Sequence, residues 1–185
     1  MINDMNTATK NLEEDHVHIL QLLDVMEHIT GSDNPDIGHL EIIVDIIRNF
    51  ADGLHHAKEE NLLFPFLAER GFSATQGPVA VMLHEHDLGR NFVKGVADNI
   101  PLYKSGNISA LNDIYFNMRG YTELLRDHIG KENNILFRMA DRVLSEQDQI
   151  NLSDSFSKAE KKHSSALTSD DYIDKIQGLI KIYNA

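Results

Sequence analysis

His55-His56-Ala57-Lys58-Glu59-Glu60-Asn61-Leu62-Leu63-Phe64 returns later in the chain as His128-Ile129-Gly130-Lys131-Glu132-Asn133-Asn134-Ile135-Leu136-Phe137. Aligned without gaps, the two stretches share His, Lys, Glu, Asn, Leu and Phe at the same offsets. The chemistry they repeat is His-x-x-x-Glu. On a helix, residues four apart lie one above the other, with Cβ atoms about 6 Å apart. An imidazole nitrogen and a carboxylate oxygen can then converge on one ion. A single such pair is ordinarily a solvated helical pair. Two copies set in apolar frames, on helices facing each other, offer two His and two carboxylates, the start of a two-metal site.

The sequence around these copies reads as helices. From about Asn6 to Ile29, Leu12, His16, Ile19, Leu23 and Met26 follow alternating steps of four and three, one buried face. His16 points inward, whereas His18 and His28 leave the stripe. Gly31-Ser32-Asp33-Asn34-Pro35 is a break, with Pro35 suited to the first turn of the next helix. That helix is expected over Pro35 to Arg70, with Val44, Ile47, Ala51, His55, Leu62 and Phe66 inward and a loosened last turn at Pro65. A third helix starts near Pro78, and Val79, Met82, His86, Gly89, Val93, Val96 and Ile100 keep the spacing. Residues two apart point about 160° away from one another, so this stripe selects His86 over His84. The fourth runs from about Ser109 to Val143, with Leu111, Ile114, Met118, Tyr121, Leu125, His128, Glu132, Ile135 and Met139 inward. Gly120 and Gly130 in it are read as points of close packing. Ser145-Glu146-Gln147-Asp148 resembles a capping box opening a short polar helix to about His163. Ser164 to Asp170 is a break, and Asp171 to Tyr183 a last helix with Tyr172, Ile176, Leu179, Ile180 and Tyr183 apolar. The expectation is an all-α, up-down-up-down four-helix bundle over 1–144, with a C-terminal helical extension over 145–185 packed on or beside it. Alternating strand patterns do not occur.

Composition narrows the chemistry. The 185 residues are enough for one domain, and 42% are hydrophobic. With no cysteine, any metal must be held by nitrogen and oxygen. A formal net charge of −12 argues against a nucleic-acid partner. Neither an apolar signal core nor a run long enough for a membrane span is found, so no membrane association and a cytoplasmic setting are expected. Each long helix places one His on its inward stripe: His16, His55, His86 and His128. Burying four imidazoles and the carboxylates of Glu59 and Glu132 is costly unless each finds a partner. A pair of ions removes both costs. Imidazole and carboxylate suit Fe, Mn or Zn. A diferrous pair against two carboxylates leaves a positive site that invites an oxo, hydroxo or other anionic bridge.

Asp15-His16-x-x-Ile19, His55-x-x-x-Glu59-Glu60-x-x-Leu63-Phe64-Pro65, Glu85-His86-Asp87 and His128-Ile129-x-Lys131-Glu132-x-x-x-Leu136-Phe137 resemble the hemerythrin-like, HHE cation-binding family, in order, over roughly residues 10–142. The resemblance implies a four-helix bundle around two non-haem, oxo- or hydroxo-bridged Fe ions, with Mn or Zn as substitutes. By it, His16 and His55 are terminal ligands of one iron, His86 and His128 of the other, and Glu59 and Glu132 bridge. Two features depart from the oxygen-carrying hemerythrins. Those have two His four apart on the third helix, where this chain has His84 and His86, and an Asp five after the last His, where it has Glu132 four after His128. The site is closer to bacterial hemerythrin-like proteins of sensing, nitrosative-stress or iron-handling type. His56, His84, Glu60 and Tyr121 are the extra or supporting candidates.

The expected function is a binding protein rather than an enzyme: a di-iron centre taking a small diatomic ligand, dioxygen or nitric oxide, in an apolar pocket lined by Met82, Val93, Leu125 and Ile135. One alternative is a di-iron oxidase or peroxidase, or an iron storage or donor protein, for which Tyr121 is the inward phenol. Another is a metal-stapled regulatory module meeting a protein partner through its C-terminal helices.

Overall fold

The computed structural model describes residues 7–163 and 167–185. The expected helix start at Asn6 and the residues from Ser164 in the expected break lie outside them. Six helices and no strand are found among the described residues. Helix α1 is Ala8–Ile29, capped by the Thr7 side chain. Helix α2 (37–68) starts as Ile37–Ile46, continues through wide turns with i→i+5 hydrogen bonding at Ile47–His56 and Glu59–Leu63, and ends as Phe64–Ala68. Helix α3 is Gly77–Lys104, with Pro78 in its first turn. Helix α4 (110–143) joins Ala110–Lys131, a wide turn at Glu132–Leu136, and Phe137–Val143. Helix α5 is Glu146–Lys162, opened by the reciprocal Ser145–Asp148 capping box, and α6 is Ser169–Tyr183. Pro35 stands just before α2, outside it: Asp36 is the N-cap, its carboxylate accepting from the His39 amide.

The first four helices form the expected up-down-up-down bundle, each packed on its neighbours, with α1 closing against α4. Helices α5 and α6 both lie on α1 and α2. Tyr172, Ile176 and Leu179 of α6 belong to the main apolar core, and Leu152 and Phe156 of α5 to a smaller one.

These two cores sit at opposite ends of the bundle. On α1, Leu12 belongs to the smaller and Ile19 to the larger, with buried His16 between them. The same layering recurs on α3 (Met82, His86, Val93) and, in the opposite chain direction, on α2 (Leu54, His55, Glu59, Leu63) and α4 (Leu125, His128, Glu132, Leu136). A layer of buried imidazoles and carboxylates therefore divides the hydrophobic interior.

The wide turns explain where the inward stripes depart from expectation. A regular α-helix over-rotates by about 40° at each step of four. Yet His55, Glu59, Leu63 and Leu67, all four apart, are buried together, as are His128, Glu132, Leu136 and Ala140. The extra residue per turn at Glu59–Leu63 and Glu132–Leu136 absorbs the drift. It also moves the core face on by one residue. Leu62, Phe66 and Met139 are only partly buried, and Ile135 is exposed (51%), while Leu63, Leu67, Leu136 and Ala140 fill the core. Pro65 is not required for the loosened turn, since α4 carries one at the same offsets with Arg138 in its place.

The two glycines of α4 differ. A Cβ on Gly120 would come within 2.4 Å of the Phe92 ring, so close packing holds there; at Gly130 nothing lies within 4 Å, and the close-packing expectation fails. Gly120→Ala should lower stability by about 1–2 kcal/mol because Phe92 must move. Gly130→Ala should raise it by about 0.5–1 kcal/mol through helix propensity. Urea melts of the metal-free protein will read both, and equal effects would contradict this packing.

Candidate metal centre

His16, His55, Glu59 and Glu132 bring one ligand atom each to within 4.8 Å of one another, and His56, Glu59, His86 and His128 do the same beside them. Glu59 belongs to both groups. All these residues are buried, Glu59 and Glu132 completely (0% exposed). Glu132 spans the groups: one carboxylate oxygen lies 3.2 Å from His16 Nε2 and the other 3.3 Å from His128 Nε2. Glu59 Oε2 lies 3.7 Å from His55 Nε2 and 3.5 Å from His86 Nε2.

Each ring is aimed by a partner on its other nitrogen. His55 Nδ1 lies 3.2 Å from Asp15 Oδ2, and His128 Nδ1 3.0 Å from Glu85 Oε2. His86 Nδ1 is 2.7 Å from Glu60 Oε1, and His16 Nδ1 2.7 Å from Asn133 Oδ1. His56 Nδ1 is 3.3 Å from Asp52. Carboxylates and amide oxygens accept, so Nδ1 carries the donated hydrogen and Nε2 is the nitrogen that faces inward. These partners obey the internal repeat. Asp15 and Glu85 each precede an inward His, and Glu60 and Asn133 each follow a buried Glu. The rings obey it too, Phe137 stacking on His16 and Phe64 on His86.

The donor set fits a pair of cations. His16 Nε2 and His55 Nε2 face each other at 3.0 Å, and His86 Nε2 and His128 Nε2 at 3.2 Å. None of the four oxygens of Glu59 and Glu132 has a hydrogen-bond partner among the described residues. Imidazole Nε2 atoms and bare carboxylate oxygens thus converge on the same small spaces. Burial, then the charge of Glu132, pushes the Glu59 carboxyl well above its ordinary range. Burial opposes charge on Glu132 also, but His128 and His16 hold it well below. Against burial, Glu132 and Glu85 hold His128 up at about 9, whereas burial takes His55 down to about 4 despite Asp15.

A cleft of about 470 Å³ reaches the second group, lined by His56, His86, Asp52, Arg90, Val93 and Tyr121 among others. The His56 ring stacks on His86 at 3.9 Å. The Tyr121 hydroxyl is buried without a hydrogen-bond partner among the described residues. Of the four residues expected to line a pocket, only Val93 does so here. Met82 packs in the smaller core, Leu125 in the larger, and the wide turn carries Ile135 to the surface. His84 is exposed and belongs to neither group. Sequence reasoning did not single out the roles of Lys58, Asn133 and Glu160. Lys58 has a signal, being shared by both copies of the motif; Glu160 has none.

The model of the hemerythrin HHE cation binding domain matches residues 7–140. The iron–sulfur cluster repair protein YtfE of Edwardsiella ictaluri is 33% identical over 103 residues, 52% of this chain and 44% of that protein. The proteins of the same name from Pectobacterium atrosepticum and Escherichia coli O157:H7 are 33% identical over 89 residues and 30% over 93, each covering 46% of this chain and 40% of the relative. The alignments thus span less than half of these relatives' length. No solved structure gives a significant match. No helix among the described residues is long and apolar enough to cross a membrane.

A metal that binds only the native state stabilises it by mass action. Calorimetry should therefore show a lower melting temperature after chelation. Glu59→Gln should abolish that difference while leaving the metal-free melt unchanged or higher, because one of two repelling buried carboxyls is gone. An unchanged chelation effect in the variant would contradict a metal role for Glu59.

Proposed function

The chain belongs to the hemerythrin HHE cation-binding family, and on that premise we propose a non-haem di-iron protein whose centre binds a small diatomic ligand, dioxygen or nitric oxide. The observation that carries the reading is the pair of fully buried carboxylates whose oxygens have no hydrogen-bond partner among the described residues while His Nε2 atoms converge on them. His16 and His55 would hold one iron, His86 and His128 the other, with His56 a further imidazole on the second side. Glu59 and Glu132 would lie between the irons, since each approaches histidines of both groups. Two irons there would supply redox change and coordination positions for the ligand.

The protein's own part is orientation and exclusion. Asp15, Glu60, Glu85 and Asn133 fix the tautomers and raise the basicity of the inward nitrogens. Phe64 and Phe137 cover two of the rings and keep water away. The cleft at His56 and His86 gives a small ligand its approach, and the Tyr121 hydroxyl is free to donate to it. The same residues accept Mn or Zn as substitutes, and a cytoplasmic setting suits such a centre.

A second reading has its own support. The relatives are named iron–sulfur cluster repair proteins, so the centre would serve iron handling under nitrosative stress, giving up iron rather than holding a ligand. Anaerobically loaded protein should contain two irons per chain and change its optical spectrum on exposure to air or nitric oxide. His86→Ala should lose at least one iron and that change. His84→Ala, altering an exposed side chain, should keep both. Transfer of iron to an apo iron–sulfur protein, without a reversible spectral change, would favour the second reading. A reproducible single iron in the folded protein would remove the di-iron reading.

A further inference from the structure

Lys58 is among the most deeply buried large side chains in the protein (2% exposed), and three oxygens surround its ammonium. Asp15 Oδ2 lies at 2.6 Å, Glu160 Oε1 at 2.9 Å and Asn11 Oδ1 at 3.0 Å. The same Asp15 oxygen accepts from His55 Nδ1. An unbroken string of polar contacts therefore runs from Glu160, on α5 and partly open to solvent, through Lys58 and Asp15 to His55. Residue 160 lies outside the stretch 7–140 matched by the family model, so the bundle is reaching out to a residue of the C-terminal extension.

The internal repeat supplies the comparison. In the second copy, Lys131 bonds Glu85, and Glu85 accepts from His128 Nδ1, reproducing Lys58, Asp15 and His55. The resemblance stops at the outer end. The Lys131 side chain is 37% exposed, and neither α5 nor α6 supplies it an acid among the contacts found. The string behind His55 thus carries one more acid than the string behind His128. A lysine shared between two carboxylates withdraws less charge from Asp15 than one bonded to Asp15 alone. Asp15 then polarises the His55 N–H more strongly and makes Nε2 a better donor.

We propose that Glu160 is a positioning residue for the His16–His55 half of the metal centre, acting on His55 through Lys58 and Asp15, so that the C-terminal extension sets the two halves apart. The inference rests on the di-iron reading for its effect on metal but not for the contact string itself. Phe156, one turn before Glu160, holds α5 in register: its ring centroid is 5.7 Å from Lys58 Nζ, and its side chain is buried in the smaller core.

Glu160→Gln keeps the size of the side chain and an oxygen for Lys58, so the packing survives while the charge goes. The control is Asp154→Asn, the same change of charge at an exposed position of α5. In full-length protein loaded anaerobically, release of the two irons to a ferrous chelator should show one phase accelerated about 3–10-fold by Glu160→Gln. That is less than the roughly 10–100-fold typical of losing a direct partner of a ligand. The other phase, and both phases in Asp154→Asn, should not change. In metal-free protein, the imidazole nitrogen resonances of His55 should shift in Glu160→Gln and those of His128 should not. Unmoved His55 resonances, or release phases that change equally or not at all, would overturn the proposal. If wild-type protein never holds two irons, the di-iron reading fails instead, and the metal-free resonances still decide the coupling.

Discussion

Two carboxylates sealed from water at the centre of the bundle constrain everything around them. Glu59 and Glu132 are fully buried, and no hydrogen bond among the described residues satisfies their oxygens. Desolvating an ion costs several kcal/mol even after relaxation, and two like charges side by side add repulsion. Such a pair persists only where cations or protons compensate it. The histidine nitrogens that converge there are each turned inward by a partner on the opposite nitrogen. The ring of acceptors behind the histidines, the stacked phenylalanines and the division of the core into two clusters all follow from holding that pair in place.

The backbone meets the same demand. Steps of four place His and Glu on one ion, but a regular helix cannot sustain them without drifting. The wide turns at Glu59–Leu63 and Glu132–Leu136 sit where the drift would otherwise carry the next apolar residue out of the core. Their equal placement in both copies, with proline in only one, ties them to the His-x-x-x-Glu spacing rather than to a helix breaker.

This also sets what could be read from the sequence. The inward stripes locate the helices, and they place His16, His55, Glu59, His86, His128 and Glu132 in one buried layer: on α1, α3 and α4 the α-helical period holds up to those residues, and on α2 the stripe still reaches His55 through the wide turns at Ile47–His56. Beyond Glu59 and Glu132 the period changes, and a reading at constant pitch buries Phe66 and Ile135 where Leu67 and Leu136 belong. The supporting residues divide by locality. Asp15 and Glu85 stand next to inward histidines, and Lys58 and Lys131 recur in both copies, so the repeat carries them. Glu160 is an acid on a polar helix, 102 residues from the lysine it meets, and no local pattern can signal such a contact.

The repeat makes the two halves of the centre chemically alike, and the fold then makes them different. The cleft opens at His56 and His86, where Arg90 and Tyr121 line the approach. On the other side α5 closes over Lys58 and ties Asp15 to the extension. One carboxylate position differs in charge as well: Glu60 backs His86, whereas neutral Asn133 backs His16. A site with an open face and a buttressed face has a division of labour available to it. Under the di-iron reading, the metal beside the cleft is the one a small ligand meets first. Its neighbour is the one whose ligand field the extension would adjust. Because Glu59 and Glu132 each approach both groups, a change in charge at either metal would be felt by the other across the shared carboxylates. The extension would thus have a physical route to what happens in the cleft without touching it.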